Sequence, residues 1–270
     1  MAFMPQIIGV LNVTPDSYFD GARWSSMDAA LKRTEQMLRE GADWIEIGGE
    51  STGPNSKNVS EQEEIYRTIP VIKEILNNWG STRISIDTYK SAVAQEALAC
   101  GVSMVNDVTA GRGDAGMFEA ARFAKLVLMY AKDPTPRTTV RPLQYEDVVA
   151  TITKFLSERI DAAVRAGVPR DRMIIDPGLG HFVSSDPKYS FEIIARLAEF
   201  ATLGCPILLS PSRKSFLAGP DNLPPADRLE GTIAASAIAV LNGATFIRTH
   251  DVAAVKRACA LAAQIFEQTP

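Results

Sequence analysis

The chain has 270 residues, of which 46% are apolar and 22% charged, and its formal net charge is −4. This composition is typical of a globular protein with a substantial core, and without a basic stripe it argues against nucleic acid as a partner. Three separated cysteines (Cys100, Cys205 and Cys259) form no CxxC motif and indicate free thiols in a reducing compartment. We find no secretory leader and no apolar run of membrane-spanning length, so we expect a cytoplasmic protein without a membrane partner.

Short apolar runs alternate with amphipathic segments along the whole chain. Eight runs predict strands, at 6–12, 43–48, 83–87, 103–107, 125–130, 173–177, 206–210 and 245–249. The amphipathic segments predict helices at 27–40, 60–78, 89–100, 114–122, 143–166, 188–201, 226–242 and 251–267. Several of these helices end in glycine, as in REGAD and VRAGV, which is a common stop signal.

This alternation predicts an α/β fold with a parallel sheet. Nearly continuous apolar strands suit a sheet that is buried on both faces. Eight β/α units in 270 residues match a single (β/α)8 TIM barrel, whose active site lies at the C-terminal ends of the strands. A doubly wound sheet would carry a glycine-rich turn after its first strand, where this chain has NVTPDS. No linker interrupts the pattern, so we predict one domain over residues 1–270.

Nearly every predicted strand ends in a polar or charged side chain. Taken singly, Asp87 or Asn106 could equally be a helix N-cap. Recurrence at so many strand ends indicates instead a polar site at the barrel mouth. The strand-end residues in chain order are Asn12, Glu46, Asp87, Asn106, Asp107, Met129, Tyr130, Asp176, Ser212, Arg213, Lys214, Arg248 and His250.

The strand-end residues separate by charge into two groups. Asp87, Asn106 and Asp176 offer acceptors and an amide that could grip the NH-rich edge of a planar heterocycle such as an aminopyrimidinone.

Positive charge follows the last two predicted strands. Lys214, Arg248 and His250 lie where barrels often bind phosphate, although Lys214 could be a surface lysine and His250 a helix-start residue. The sequence therefore predicts a heterocycle deep in the barrel and an anion at its rim.

The polar loop after strand 1, NVTPDSYFDG, is either a plain connection or a lid that brings Asp16 over the site. Hydrolase and zinc chemistry are disfavoured, because the chain has no GxSxG motif and only two histidines.

Nine motifs, in this order, resemble those of the dihydropteroate synthase family over essentially the whole chain. They are GVLNVTPDSYFDG, GADWIEIGGEST, SIDTYKSAVAQEAL, VNDVTAG, LVLMY, IIDPGLG, PILLSPSRKSF, GTIAASAIAVLNGA and IRTHDV. The resemblance implies that the protein joins 6-hydroxymethyl-7,8-dihydropterin pyrophosphate to p-aminobenzoate in folate synthesis. It also implies an SN1-like reaction, Mg2+ as cofactor and a homodimer formed through outer helices.

The resemblance also assigns roles to residues. A pterin would be held by Asp87, Asn106, Met129, Asp176 and Lys214. Pyrophosphate would be held by Asn12, Arg248 and His250, with the metal near Asn12. The residues implied for catalysis are Asp16, Asn12, Lys214, Arg248 and His250. An aminobenzoate pocket would be bordered by Thr52, Gly53, Pro54, His181 and Ser212.

The chain departs from the usual family motifs at several positions. Glu46 replaces an aspartate and Gly53 an arginine in the second motif, while Tyr130 replaces a histidine after strand 5. In DPGLGHFV, His181 stands where phenylalanine is usual and Phe182–Val183 where Gly–Lys is usual. Because Gly53 and His181 both fall on the aminobenzoate side, the sequence predicts a remodelled acceptor pocket, with either weakened sulfonamide binding or a different aromatic amine acceptor.

Two alternatives stay open on the sequence alone. One is a pterin-binding paralogue that uses a different acceptor, as in the related methyltetrahydrofolate–corrinoid methyltransferases, although those lack the NVTPDS loop. The other is a pterin-binding protein without synthase activity, against which the retained Asn12, Asp16, Lys214, Arg248 and His250 argue.

Overall fold

The computed structural model describes residues 4–13, 23–54 and 56–268, except for the side chains of 23–26. In that part of the chain, parallel strands form one eight-stranded sheet in the order β6–β5–β4–β3–β2–β1–β8–β7. The strands are β1 (Gln6–Asn12), β2 (Trp44–Gly48), β3 (Ile84–Asp87), β4 (Met104–Asp107), β5 (Lys125–Met129), β6 (Met173–Asp176), β7 (Leu208–Leu209) and β8 (Phe246–Thr249). Each lies inside a predicted strand, and the prediction of a (β/α)8 barrel is confirmed.

The barrel closes at a narrow seam between β6 and β7. A single parallel bridge joins Ile175 to Ile207, and the N–H of Ile175 donates to the carbonyl of Pro206 over 3.0 Å. Pro206 has no backbone N–H and cannot donate to the neighbouring strand, which helps to keep β7 short.

The helices surround the barrel. They are α1 (Arg23–Arg39), α2 (Glu61–Asn78), α3 (Ser91–Ala99), α4 (Met117–Ala120), α5 (Val148–Arg165), α6 (Lys188–Ala195), α7 (Leu229–Leu241) and α8 (Val252–Phe266). None of the helices described here is both long enough and apolar enough to cross a membrane.

Most helices are shorter than predicted, and three are shortened most. The segment 143–166 becomes helical only at Val148, because the carboxylate of Asp147 caps the first turn by accepting from the N–H of Ala150 at 2.9 Å. The segment 188–201 changes after Ala195 into a 3-10 helix that runs to Leu203. The α4 helix is a single turn, whereas the sequence predicts a helix over 114–122.

Two apolar layers stabilise the fold. The larger one lies between the strands and the surrounding helices. The smaller one fills the barrel interior and consists of Ile8, Trp44, Met104, Val127, Ile174, Leu208 and Phe246. This interior layer, here called the apolar floor, lies directly beneath the strand ends, where a barrel has its site.

Candidate active site

The site side chains form a layer directly above the apolar floor of the barrel. Side chains two positions apart on a strand point to the same face. The residue two positions after an interior apolar residue therefore also faces the barrel axis. Six strands follow this rule, with the pairs Trp44 and Glu46, Met104 and Asn106, Val127 and Met129, Ile174 and Asp176, Leu208 and Ser210, and Phe246 and Arg248.

Glu46 is a fully buried carboxylate at the centre of this layer. One of its oxygens accepts from Nε of Arg248, and the other accepts from Nδ2 of Asn106 at 3.1 Å and from Oγ of Ser85 at 3.3 Å. The other arm of Arg248 donates to Oδ2 of Asp87 at 2.8 Å. Although burial opposes its charge, these carboxylates raise the pKa of Arg248 above its usual value, so the guanidinium is held charged.

Asp87 and Asn106 do not act as helix caps. The N-cap of α3 is Lys90 and that of α4 is Gly116, and neither helix has a side-chain cap. The amide of Asn106 donates to Glu46, and its buried Oδ1 has no hydrogen-bond partner in the described part of the chain. An unsatisfied buried acceptor is costly, so this oxygen is suited to a ligand donor.

Asp107 and Arg213 are strand-end residues with a structural role. The carboxylate of Asp107 accepts from the N–H groups of Thr109 and Gly111 at 2.8 and 2.6 Å and so shapes the turn after β4. Arg213 forms a two-armed ion pair with Asp251, at 2.8 and 2.7 Å.

Burial shifts the ionisation of three groups in the layer. It raises the pKa of Asp87 to about 7, although Arg248 acts in the opposite direction. It also raises the pKa of Asp176, against the effect of Lys214, and it lowers the pKa of Lys214 to about 8. A ligand that brings N–H donors or positive charge would relieve the cost of keeping both carboxylates ionised.

These groups line an inner cavity at the strand ends. The five residues predicted to bind a pterin are all in its wall. The full lining is Thr52, Asp87, Asn106, Val108, Met129, Asp176, Phe182, Ser210, Lys214 and Arg248.

A more open outer cavity adjoins the inner one and shares Phe182 and Lys214 with it. The ammonium of Lys214 lies 5.2 Å from the centre of the Phe182 ring, within cation–π range. Three of the lining side chains are basic, and no carboxylate is among the described residues of the wall. The outer lining is Pro54, Thr138, Val140, Leu179, His181, Phe182, Lys214, Ser215 and Arg228.

The residues predicted to border aminobenzoate separate in space. Thr52 lines the inner cavity, Pro54 and His181 line the outer one, and Gly53 lines neither. Ser212 also lines neither cavity, and its hydroxyl accepts from the backbone N–H of His250 at 3.1 Å.

His250, at the rim of the barrel, does not have the positive charge that the sequence predicts. His250 lies beside Ser212, with Nδ1 of the ring 3.4 Å from the hydroxyl. Burial lowers the pKa of His250 to about 4, and Arg248 acts in the same direction. The predicted rim cation is therefore a neutral imidazole at pH 7 in the unliganded protein, and it can donate one N–H.

Asn12 ends β1 at the mouth of the barrel. Its neighbour across the sheet is Gly48, where a Cβ would lie 3.6 Å from Oδ1 of Asn12, so the glycine leaves this oxygen accessible. No group of three or more histidine, cysteine or acidic side chains among the described residues could hold a metal by itself. One amide oxygen fits Mg2+ when phosphate and water supply the other ligands. Asp16 lies outside the described residues.

Sequence reasoning assigned no site role to Phe182, Ser215 or Arg228, which all line the outer cavity. Ser215 lies in the motif SRKSF, and Phe182 follows His181 in DPGLGHFV. A signal for both residues was therefore present in motifs that the sequence analysis identified. Arg228 precedes α7, and no local pattern indicates that it turns toward the site.

Comparisons with known proteins agree with this geometry. A family model described as a pterin binding enzyme matches residues 8–250. Dihydropteroate synthase from Haemophilus influenzae is 38% identical over 251 residues, which is 93% of this chain and 90% of that protein.

Solved structures show the same similarity. Dihydropteroate synthase from Yersinia pestis with a sulfonamide drug superposes with a TM-score of 0.89 and 34% identity, covering 98% of this chain and 95% of that one. The Xanthomonas albilineans enzyme with 4-aminobenzoic acid gives a TM-score of 0.89 and 36% identity, covering 99% and 94%.

The fold and the family match together identify a pterin-binding enzyme of the (β/α)8 barrel class. Within that class the chain belongs to the dihydropteroate synthase family, whose members are transferases.

Proposed function

We propose that residues 1–270 form one catalytic domain that condenses 6-hydroxymethyl-7,8-dihydropterin pyrophosphate with p-aminobenzoate. The products are 7,8-dihydropteroate, a folate precursor, and pyrophosphate. One observation carries the proposal, the adjoining pair of cavities with a shared wall of Phe182 and Lys214. The inner cavity offers acceptors for a heterocycle, and the outer one offers positive charge for an acceptor that carries a carboxylate.

The inner cavity suits the pterin. The carboxylates of Asp87 and Asp176 and the free Oδ1 of Asn106 can accept from ring N–H groups, while Met129 contributes an apolar wall. Arg248 pairs with Asp87 in the unliganded protein, so an incoming ring would share that carboxylate with the guanidinium.

The charges also suit an SN1-like reaction. The bond between the pterin methylene carbon and the pyrophosphate oxygen breaks first, and the electron pair leaves with pyrophosphate. Buried carboxylates favour the pterin cation that forms, while Arg248, Lys214 and the N–H of His250 can stabilise the leaving group. The aniline nitrogen then attacks the cation to form the C–N bond, and its surplus proton passes to the released pyrophosphate. Asp16, on the predicted lid, would help to exclude water.

Mg2+ is the cofactor that the family implies, and Asn12 would hold it through its side-chain oxygen together with the pyrophosphate. When bound, the ion would neutralise charge on the leaving group.

The outer cavity suits an aromatic amine with a carboxylate. Arg228 and Ser215 can meet the carboxylate, and Phe182 can pack against the ring. This orientation points the amine toward the inner cavity, where the cation forms.

An assay of pyrophosphate release tests the function. We expect release only when both the dihydropterin pyrophosphate and p-aminobenzoate are present. Release without the amine would indicate hydrolysis or another acceptor, as in the paralogue alternative. Folded protein that binds the pterin but releases no pyrophosphate would indicate a binding protein.

Weak inhibition by sulfonamides is a further part of the proposal. Gly53 has no side chain that could reach the outer cavity, and His181, which lines that cavity, stands where phenylalanine is usual. We expect Gly53→Arg to increase inhibition by sulfamethoxazole, because a Cβ there has open space, with its nearest neighbour, Oγ of Ser51, at 3.5 Å. Inhibition of the unchanged protein at the potency of sensitive family members would contradict this idea.

A homodimer is proposed through α7 and α8. Ile238 and Leu261 on these helices are 47% and 60% exposed, and apolar side chains in such positions favour association. Light scattering of the purified protein would give the mass of a dimer. The cytoplasmic location stays a prediction.

A further inference from the structure

The segment 131–141 after β5, here called the strap, crosses the outer cavity from one wall to the other. One wall belongs to the segment 50–57, which carries Pro54, and the opposite wall belongs to 180–183. Thr138 and Val140 of the strap line the cavity between them. The strap has no regular secondary structure, so its path depends on side-chain anchors.

Lys132 is the anchor on the 180–183 side. Its side chain is fully buried, and Nζ donates to Oγ1 of Thr138 at 2.9 Å, to the carbonyl of Thr139 at 2.7 Å and to the carbonyl of His181. Its backbone N–H donates to the carbonyl of Phe182 at 2.8 Å. This end of the strap is therefore tied to the wall that carries His181 and Phe182.

Arg137 is the side-chain anchor on the 50–57 side, where the backbone N–H of Thr138 also donates to the carbonyl of Thr52 at 3.3 Å. Nε of Arg137 donates to the carbonyl of Ser56 at 3.1 Å, and NH2 donates to the carbonyl of Lys57 at 2.8 Å. The same guanidinium pairs with the carboxylate of Glu50. One side chain thus holds both the backbone and a buried carboxylate of the opposite wall.

Charge balance shows why this pairing matters. Glu50 and Glu64 are 2% and 1% exposed, and both pair with the single ammonium of Lys90. Arg137 supplies a second positive charge, so that two carboxylates face two cations. Without it, two buried carboxylates would share one cation, which is an unfavourable arrangement.

We propose that Arg137 is a positioning residue that sets the separation of the two walls of the outer cavity and thereby the binding of the aromatic amine. This inference rests on the proposed function, in which that cavity receives p-aminobenzoate. Arg137 does not line the inner cavity, and of the described residues in 50–57 only Thr52 does, so its effect falls mainly on the acceptor. The 50–57 segment is 80 residues away in sequence, and the guanidinium connects it directly to the strap.

Steady-state kinetics of Arg137→Ala tests the proposal. We expect KM for p-aminobenzoate to rise about tenfold, because small displacements of a binding wall are costly. KM for the dihydropterin pyrophosphate should rise less, by about twofold at most, because Thr52 is the one described residue of 50–57 that lines the inner cavity. Arg137→Lys should give an intermediate KM for the amine, since lysine can pair with Glu50 but lacks the fork that reaches two carbonyls.

Arg141→Ala is the matched control. Arg141 lies on the same strap, but its side chain is 53% exposed and pairs with Asp133 instead of the 50–57 segment. Its loss should leave both KM values near those of the unchanged protein. Equal KM values for the amine in the Arg137→Ala and Arg141→Ala variants would overturn the proposal, and so would a parallel rise in both KM values of Arg137→Ala.

Hydrogen exchange tests the contact without relying on the reaction. Compared with the unchanged protein, Arg137→Ala should exchange amide hydrogens faster over 50–59. Its exchange rate over 180–184 should be unchanged, because Lys132 still holds that segment. If Arg137→Ala folds poorly, Arg137→Lys is measured in its place. Unchanged exchange over 50–59 would overturn the proposal. If the unchanged protein does not use p-aminobenzoate, the proposed function fails, whereas the exchange result still decides whether Arg137 holds the wall.

Discussion

Asp176 carries a carboxylate in a place with almost no access to water, since it is 2% exposed. Its Oδ1 accepts from the N–H of Gly178 at 2.7 Å, and the nearby charge of Lys214 offsets only part of the cost of burial. A buried carboxylate of this kind lowers the stability of the unliganded protein. Such residues are common at binding sites, where the ligand supplies the hydrogen-bond donor or positive charge that the protein lacks.

We expect Asp176→Asn to stabilise the unliganded protein and to impair catalysis. The pKa of Asp176 is raised in the folded state, so as pH rises above about 4 the unfolded chain loses the proton first and the native state loses relative stability. The amide avoids this loss. Thermal unfolding at pH 5 and pH 8 should show that the advantage of the variant grows with pH.

The same variant should lower kcat/KM for the dihydropterin pyrophosphate by about 100-fold, because a neutral amide stabilises a cation poorly. A stability difference that shrinks as pH rises, or unchanged kinetics, would contradict this account of the residue.

At the scale of an element, the segments after the strands decide where site groups stand. After β1 the segment 14–22 lies outside the described residues, and its role as a lid is a prediction from the sequence. After β6 the turn is well defined, since Gly178 has φ of 72° and a Cβ there would lie 2.6 Å from the carbonyl oxygen of Tyr130.

Asp16→Ala tests the lid. We expect nearly unchanged folding, as judged by thermal unfolding, together with a strong fall in turnover, because the carboxylate is predicted to act over the reacting cation. Wild-type kinetics in this variant would indicate that the loop is a plain connection.

Gly178→Ala tests the turn after β6. The left-handed φ alone costs about 1 kcal/mol for a residue with a Cβ, and the overlap with the Tyr130 carbonyl adds to that cost. We expect a total loss of about 2 kcal/mol or more in the free energy of unfolding, together with reduced activity, because Asp176 accepts from this N–H.

Gly243→Ala is the control for that substitution. Gly243 has φ of 99°, and a Cβ there would meet nothing within 4 Å. Its alanine variant should lose about 1 kcal/mol without loss of activity. Equal losses of stability in the two variants would exclude a contribution from the Tyr130 contact.

At the scale of the whole molecule, the barrel gathers side chains from distant parts of the chain into one layer. The inner cavity takes residues from β3, β4, β5, β6 and β8, and two of these strands neighbour the short β7 at the seam. A ligand in that cavity therefore connects strands across the barrel.

Binding should consequently be visible in global stability. Dihydropterin pyrophosphate at 100 times its Kd should stabilise the protein by about 2.7 kcal/mol, or about 5 °C in Tm for a chain of this length. We expect p-aminobenzoate alone to give a smaller shift at the same concentration, because the outer cavity is more open and touches fewer strands. Thermal unfolding with each ligand separately measures this, and an equal or larger shift from the amine alone would contradict it.

The sequence by itself determined the barrel and the register of its polar layer. Nearly continuous apolar runs and the polar residues that end them depend on neighbours only a few positions away, so they are readable from a single chain. Asp87, Asn106, Met129, Asp176 and Lys214 could be assigned to one pocket in this way, and all of them line the inner cavity. Their roles in binding remain predictions.

Only the tertiary structure decided which groups meet and in what charge state. Glu46 and Arg248 pair across 202 residues, and Arg137 reaches the wall that carries Pro54. Ser215 lines the outer cavity and Ser212 does not, although both lie in one short motif. His250 is neutral at pH 7 because it is buried beside Arg248. Burial and electrostatic effects depend on atoms brought together by folding, and local sequence patterns do not contain that information.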